Sequence, residues 1–161
     1  MKRMTDPMDA LRSMQDCLVK KVPLGLRACV YHRDMKLLLD SPTGEPRLSY
    51  ALIDGVTVKA LCIFAHGDPI DGVPCFDIGY AVAEKFRRKG LGKSMVENCI
   101  DELSKGMRGK FGPKLYIEAI VGADNVGSRK IAERVISSSP ESCTDEHSGQ
   151  AAFSYQRLVV L

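Results

Sequence analysis

Apolar residues recur along the first part of the chain at two spacings, one helical and one extended. After a potential cap at Asp6, helical spacing holds at Met8, Leu11, Met14, Leu18 and Val19. This spacing predicts an amphipathic helix over residues 6–20. Extended stretches follow at residues 36–40, 47–53 and 57–65. Asp54-Gly55 is a strong hairpin signal, and residues 66–73, with three turn-forming Gly and Pro residues, are predicted to be a loop. This half indicates an antiparallel meander.

The second half alternates strands with helices. Strands are predicted at residues 75–82, 114–121 and 151–161, and helices from Leu91 to near Gly106 and over residues 125–137. The connection from the first strand to the second should be a right-handed crossover between parallel strands. The predicted fold class is α/β, as an α+β mixed sheet. Antiparallel N-terminal strands are followed by a strand–helix–strand–helix–strand half.

Composition narrows the class of protein. A chain of 161 residues fits one domain over residues 1–161. The longest apolar run, residues 61–65, is too short to span a bilayer, and Lys2 and Arg3 lead into Asp6 and Pro7 without an apolar segment. We therefore expect a cytoplasmic protein without a membrane partner. The six cysteines lack metal-ligand spacing, so no metal is predicted, and a net charge of +3 is too small to indicate nucleic acid.

A basic, glycine-containing turn gives the clearest indication of a ligand. Arg87-Arg88-Lys89-Gly90-Leu91-Gly92 follows a predicted strand and opens a predicted helix. The first amides of a helix lack internal partners and attract anions. Gly90 and Gly92 let a phosphate approach the backbone, and the cationic side chains neutralise it. A pyrophosphate is the ligand that this turn predicts.

The turn has three other interpretations. A P-loop requires glycine where the chain has Arg87. A dinucleotide fingerprint requires a third glycine where the chain has Met95. A solvated basic helix start without a ligand stays open on this segment alone.

Two segments together resemble one family. Residues 77–95 begin Asp77-Ile78-Gly79-Tyr80 and contain the turn, which fits the pattern Gln/Arg-x-x-Gly-x-Gly/Ala. Residues 118–128, which begin Glu118-Ala119-Ile120-Val121, fit Glu-Ala-x-Val…Asn-x-x-Ser. Both resemble the GNAT acetyltransferase superfamily, and the second is similar to its branch of ribosomal-protein N-terminal acetyltransferases.

The resemblance implies acetyl-coenzyme A as the cofactor, held beside splayed central strands. The pantetheine arm would pair with the backbone of the first strand, as an added strand would. Asn125 and Ser128 would contact the pantetheine and the thioester end. The implied cofactor-binding residues are Tyr80, Ala81, Val82, Arg87, Arg88, Lys89, Gly90, Leu91, Gly92, Lys93, Ser94, Asn125 and Ser128.

Three side chains are candidates for catalysis. The resemblance makes Asp77 the first candidate for the base, and an ion pair with a nearby arginine is an equal alternative for it. Glu118, an acid within an apolar strand, is the second candidate, and its alternative is a buried ion pair with Arg47 or another cation. Ser128 would hydrogen-bond the leaving thiolate, or would simply cap a helix. The proton donor stays open among Ser128, Tyr80 and a water. Many relatives have a tyrosine that acts as the general acid a few residues after the asparagine, and this chain has Ile131 and Ala132 there.

We therefore expect an N-acetyltransferase that moves the acetyl group directly from acetyl-CoA to a primary amine. The acceptor is a small molecule or peptide that the sequence does not identify, and a homodimer is a reasonable expectation for the family. The alternatives are a non-catalytic sensor of coenzyme A, since the usual tyrosine is missing, and a small nucleic-acid-binding protein. The last ranks lowest because aromatic residues are absent from residues 87–93.

Overall fold

A computed structural model of the chain describes residues 6–161, and residues 1–5 lie outside the described residues. The described part contains an eight-stranded, mostly antiparallel sheet with three α-helices, which confirms the predicted fold class. The elements are α1 (Pro7–Val19), β1 (Arg27–Ala28), β2 (Met35–Asp40), β3 (Arg47–Asp54), β4 (Thr57–Ile70), β5 (Val73–Val82), a 3₁₀ turn (Glu84–Phe86), α2 (Leu91–Met107), β6 (Lys114–Gly122), α3 (Val126–Val135), β7 (Glu141–Thr144) and β8 (Ala151–Val160). The strand order is β1-β2-β3-β4-β5-β6-β8-β7.

The contacts divide the chain into two compact units. Unit 1 contains the residues up to Ala65 together with Gly79–Leu103, and unit 2 contains His66–Ile78 together with Ser104–Leu161. The prediction of one domain over residues 1–161 stays a prediction.

Helix α1 forms where the apolar spacing predicts it. The Asp6 carboxylate accepts the Met8 N–H at 2.9 Å, and Pro7 occupies the start of the helix, where its missing N–H costs nothing. Leu11 and Met14 are buried in the apolar core of unit 1, together with Ala51, Val58, Leu61, Ile63 and Ala81. The apolar face therefore anchors the helix on the strands of this unit.

A buried carboxylate fixes the segment between β1 and β2. Glu102 of α2 is only 6% exposed, and its oxygens accept three consecutive backbone N–H groups, from Val30 at 2.7 Å and from Tyr31 and His32 at 3.0 Å. Beside it, His32 lies 2.8 Å from Asp101. A buried carboxylate is tolerated because its lone pairs are satisfied. Glu102 thus ties α2 to the rest of unit 1.

The predicted loop over residues 66–73 is wrong. Strand β4 continues to Ile70, and the reversal is confined to Asp71 and Gly72, with φ of 50° and 75°. A tight hairpin takes positive φ at both central residues, which Asp-Gly supplies, so the residues before it remain extended. His66 is exposed and its ring packs against that of Phe76, with ring centroids 5.0 Å apart.

Unit 2 contains the parallel pairing that the crossover predicted. Cys75, Phe76 and Asp77 of β5 lie opposite Tyr116, Ile117 and Glu118 of β6. The register ends at Asp77 and Glu118, whereas β5 continues to Val82 and β6 to Gly122. On its other side, β6 pairs with β8 along its whole length. The short strand β7, which the sequence analysis did not predict, is largely exposed and completes a hairpin with β8.

Candidate active site

The basic turn of unit 1 has the backbone that an anion requires. Arg88 and Gly90 adopt left-handed conformations, with φ of 63° and 74°. The first hydrogen bond of α2 runs from the Ser94 N–H to the Gly90 carbonyl, at 3.3 Å. The amides that precede it therefore lack intrahelical partners and form the positive end of a 17-residue helix. A left-handed arginine is strained, and such strain is found at sites that require one fixed backbone geometry.

The cations of this turn are not equivalent. Arg87 is directed back towards its own unit: its Nε donates to the Val82 carbonyl at 2.9 Å, and its Nη2 lies 3.4 Å from the Met8 sulfur. Arg88 and Lys89 are exposed, whereas Lys93 lies 3.9 Å from Glu97, too far for a strong pair. The structure therefore leaves Arg88 and Lys89 as the cations best placed for an anion at the turn, and gives Arg87 a structural partner.

The end of β5 alternates between the core and the surface. Ala81 is 7% exposed and packs in the core of unit 1, so the neighbouring residues Tyr80 and Val82, which are half-buried, point to the opposite face of the strand. The N–H of Ala83, just after the strand, donates to the Lys59 carbonyl at 2.9 Å. This bond fixes the point from which the turn departs.

A cavity of about 270 Å³ adjoins the turn within unit 1. It is lined by Leu52, Lys59, Phe86, Lys89, Gly90, Leu91 and Ser94. The Lys59 ammonium lies 5.4 Å from the centre of the Phe86 ring and 3.6 Å from the Asp54 carboxylate. Neither Lys59 nor Phe86 was a candidate in the sequence analysis, because each stands outside the glycine-rich segment.

Unit 2 brings together the two acidic candidates. Asp77 and Glu118 are directly opposite each other at the last position of the β5–β6 register. Glu118 accepts hydrogen bonds from Ser154 Oγ at 3.0 Å and Gln156 Nε2 at 2.6 Å, both on β8. The expected partner of Glu118, Arg47, instead forms a two-pronged pair with Asp40, at 2.9 and 2.7 Å. The ion-pair interpretation with Arg47 is therefore wrong.

Asp77 lies in an environment that favours its neutral form. Burial, followed by the negative charges of Glu118 and Asp68, raises the pKa of Asp77 from 3.8 to about 6. Its carboxylate rests against the backbone of β4, where a Cβ on Gly67 would lie only 2.5 Å from the Asp77 Oδ1 atom. Gly67 thus leaves the space that the carboxylate fills. The sequence signalled Gly67 only as a loop residue, since the cross-strand contact is not local.

Asn125 and Ser128 occupy the start of α3. The Asn125 Oδ1 atom accepts the Ser128 N–H at 3.2 Å, so Asn125 is the cap and Ser128 lies inside the first turn. The capping role considered for Ser128 therefore belongs to Asn125. The next residue, Arg129, stacks its guanidinium 4.2 Å from the centre of the Phe153 ring and donates to the Ala123 carbonyl at 3.0 Å. These contacts fix the helix start that presents Ser128.

Cys75 lies close to the acidic pair, in surroundings that disfavour its thiolate form. Burial, followed by the charges of Asp77, Glu118 and Asp68, raises the pKa of Cys75 to about 12. A thiol that stays protonated at neutral pH is a poor nucleophile. Covalent catalysis through Cys75 is therefore disfavoured.

The described residues thus present two separate chemical features, the turn in unit 1 and the acidic pair in unit 2. Within residues 6–161, no helix is long and apolar enough to cross a membrane. The same part of the chain contains no group of three or more His, Cys, Asp or Glu side chains that could hold a metal ion.

One solved structure supports the fold. The chain resembles a GNAT-family acetyltransferase from Streptococcus pneumoniae with a TM-score of 0.55 and 11% identity, covering 98% of this chain and 97% of that one. It is also similar to a ribosomal L7/L12 α-N-protein acetyltransferase, RimL, in complex with coenzyme A, with a TM-score of 0.49 and 18% identity over 71% of this chain and 62% of that one. An acetyl transferase from Salmonella typhimurium that modifies the N-terminal serine of L7/L12 has a TM-score of 0.47 and 18% identity, over 73% and 65% of the two chains.

The sequence itself places the chain in a family. No curated protein matches it significantly. The profile of the acetyltransferase (GNAT) family, however, matches residues 22–136, a segment that includes both the turn and the acidic pair. The chain therefore belongs to the GNAT family of acetyltransferases.

Proposed function

We propose that this protein is an N-acetyltransferase that transfers the acetyl group of acetyl-CoA to a primary amine. One observation carries the proposal: the family profile spans a turn whose backbone is held open by left-handed Arg88 and Gly90 at the start of α2. An exposed helix start with adjacent cations suits the diphosphate of the cofactor, which carries two negative charges. Acetyl-CoA supplies an acetyl group activated as a thioester.

The turn holds the cofactor through its backbone first and its side chains second. The amides from Arg88 to Lys93 bind the pyrophosphate, while Arg88 and Lys89 neutralise it. The backbone of β5 from Tyr80 to Val82 pairs with the pantetheine arm. Asn125, Ser128 and Ser94 complete the set of contacts. A contact from Arg87 stays a prediction, because its guanidinium is engaged with Val82 and Met8.

Asp77 is the base in this proposal. A primary ammonium has a pKa of about 10.4, so it must lose a proton before its nitrogen can attack. A carboxylate with a pKa of about 6 is ionised at neutral pH yet more basic than an ordinary aspartate. Asp77 therefore accepts that proton, directly or through a water. Glu118 is less suited because two donors from β8 already engage its carboxylate.

Ser128 assists the departure of the sulfur. As the carbon–nitrogen bond forms and the carbon–sulfur bond breaks, the electron pair of the latter bond moves to sulfur. The Ser128 hydroxyl donates a hydrogen bond to this thiolate, which then takes up one proton to become free coenzyme A. The helix start that carries Ser128 is fixed by the Asn125 cap, and this supports a positioned donor.

Ile131 and Ala132 favour a second candidate function, a non-catalytic sensor of coenzyme A. They occupy the positions at which many relatives have a tyrosine that acts as the general acid, and Ala132 is fully buried. No side chain there can donate a proton. A sensor would use the turn and leave the acidic pair without a chemical role.

Three broader expectations belong to the same proposal. The protein acts as one domain, works in the cytoplasm, and forms a homodimer. The cytoplasmic expectation is supported by its cysteines, since all six are free thiols.

Release of free thiol separates the enzyme from the sensor. Purified protein is incubated with acetyl-CoA and a panel of primary amines that includes peptide N-termini, lysine, polyamines and aminoglycosides. The proposal predicts faster thiol release with at least one amine, together with an acetylated product in the mass spectrum. If the protein binds acetyl-CoA but releases no thiol with any amine, the sensor is supported. If it does not bind acetyl-CoA, both the enzyme and the sensor are excluded.

A further inference from the structure

The cavity beside the turn contains a lysine that is not needed to bind the pyrophosphate. It brings Lys59 of β4 and Lys89 of the turn to one space of about 270 Å³, with the Phe86 ring in its wall. Lys59 lies outside the basic segment and reaches this space from a different strand. The cavity is slightly smaller than the roughly 300–1,000 Å³ of pockets that enclose a whole ligand. It is therefore suited to one end of a larger molecule.

The position of Lys59 is fixed by its backbone. The Lys59 carbonyl accepts the Ala83 N–H at 2.9 Å, so its Cα is held beside the residue that begins the turn. Its side chain is 31% exposed and lies over the Phe86 ring, at 5.4 Å from the ring centre. The aliphatic part of a lysine packs well on such a surface while its ammonium stays accessible. Lys59 thus lines the cavity with its ammonium held near the Phe86 ring, which is part of the same wall.

The only acid paired with Lys59 among the described contacts is a weak competitor. The Asp54 carboxylate lies 3.6 Å from the Lys59 ammonium, and its side chain is 77% exposed. Pairs that are this open to solvent contribute little. An incoming dianion can therefore replace Asp54 as the partner, because a phosphate monoester carries more charge and more acceptor oxygens than a carboxylate.

We propose that this cavity binds the phosphate monoester on the ribose of coenzyme A, with Lys59 as its specificity-determining residue and Lys89 as a second cation. The inference rests on the proposed function, because it places the pyrophosphate at the adjoining amides. In this arrangement the turn recognises the diphosphate that all forms of the coenzyme share. Lys59 distinguishes coenzyme A from dephospho-coenzyme A, which lacks only the monoester.

Calorimetric titration with the two coenzymes tests the assignment. Wild-type protein should bind coenzyme A about tenfold more tightly than dephospho-coenzyme A, and Lys59→Gln should reduce that ratio to about twofold, the part that Lys89 retains, while leaving the affinity for dephospho-coenzyme A unchanged. Lys59→Arg should keep the preference. Lys36→Gln, which removes a half-buried lysine of β2 that does not line the cavity, should also keep it.

The outcomes separate this inference from the proposed function. If wild-type protein binds both coenzymes equally tightly, or if Lys59→Gln keeps the preference, the assignment of the cavity is overturned and the acetyltransferase proposal stands. If wild-type protein binds neither coenzyme, the proposed function itself fails. Inorganic phosphate serves as a further arm: displacement of coenzyme A by phosphate alone, at matched ionic strength, would show a general anion site and contradict specificity for the monoester.

Discussion

The turn of unit 1 and the acidic pair of unit 2 differ in exposure, in charge and in the kind of group that they present. The turn is exposed and basic, and the groups that we propose to bind the cofactor are its backbone amides, next to Arg88 and Lys89. The acidic pair is half-buried, and its chemistry comes from the Asp77 and Glu118 side chains on adjacent strands. Binding of a strongly charged anion tolerates water, whereas a useful base requires partial exclusion of water to raise its pKa. In the proposed function, the first region would supply affinity for the cofactor and the second would supply the base.

Removal of the Asp77 carboxylate should have the largest effect. Asp77→Asn preserves the size of the side chain but cannot accept the proton, so kcat/KM should fall by about 10²–10³ with the Kd of acetyl-CoA unchanged. Steady-state kinetics and calorimetry measure the two quantities. Glu118→Gln is the matched control and should lower kcat/KM by less than about tenfold. A larger loss in Glu118→Gln than in Asp77→Asn would reverse the assignment of the base.

The space above Gly67 offers an indirect way to disturb the same carboxylate. In Gly67→Ala the new Cβ would lie 2.5 Å from the Asp77 Oδ1 atom, so the carboxylate must move. We expect kcat/KM to fall by roughly 30-fold and the free energy of unfolding to fall by about 1–3 kcal/mol. Gly106→Ala is the control, because a Cβ there has no neighbour within 4 Å. Full activity in Gly67→Ala would show that the position of Asp77 is unimportant.

Two adjacent arginines, Arg88 and Arg87, allow the binding role of the turn to be separated from its structural role. Arg88→Asn removes a cation but suits the left-handed backbone, so the Kd of acetyl-CoA should rise about tenfold without loss of stability. Arg87→Gln removes the bond to the Val82 carbonyl, so it should lower the free energy of unfolding by about 0.5–1 kcal/mol and change the Kd little. Titration and chemical denaturation measure both variants. The opposite pattern would restore Arg87 as a cofactor contact.

The pH dependence of stability should show the smallest effect. The pKa of Asp77 is raised to about 6 in the folded protein from 3.8. The folded state therefore holds this proton more tightly than the unfolded state, and the group destabilises the fold increasingly as the pH rises from about 4 to 6. Asp77→Asn lacks this cost, so its stability relative to wild type should grow by about 1–2 kcal/mol across that range, the lower value allowing for solvent screening of a half-buried group. Urea denaturation at a series of pH values would contradict the shift if the difference stayed constant.

Much of the fold was predictable because its signals are local. Helical spacing predicted α1 and α2, and the Asp54-Gly55 turn predicted the β3–β4 hairpin. The end of β4 was missed because Gly67 and Pro69 are common in loops, yet the turn formed at Asp71 and Gly72. Strand β7 was missed because its four residues are mostly exposed and obtain their structure from pairing with β8.

The candidate residues divide in the same way. The turn was visible as a contiguous motif, and so was the segment that contains Asn125 and Ser128. Gly67 and Lys59 were invisible, because their importance lies in contacts with Asp77 and Phe86 made through the folded strands. The direction of the Arg87 side chain was also beyond the sequence, since a motif gives charge but not hydrogen-bond partners.

Titration of the purified protein with acetyl-CoA in a calorimeter tests the central claim most directly. If the amides from Arg88 to Lys93 bind the pyrophosphate, the wild-type protein should give saturable heat with one site per chain, and the Kd should weaken as salt is added. Arg88→Asn should weaken the same isotherm. Absence of heat at every salt concentration and temperature, from a protein with a cooperative unfolding transition, would contradict the account.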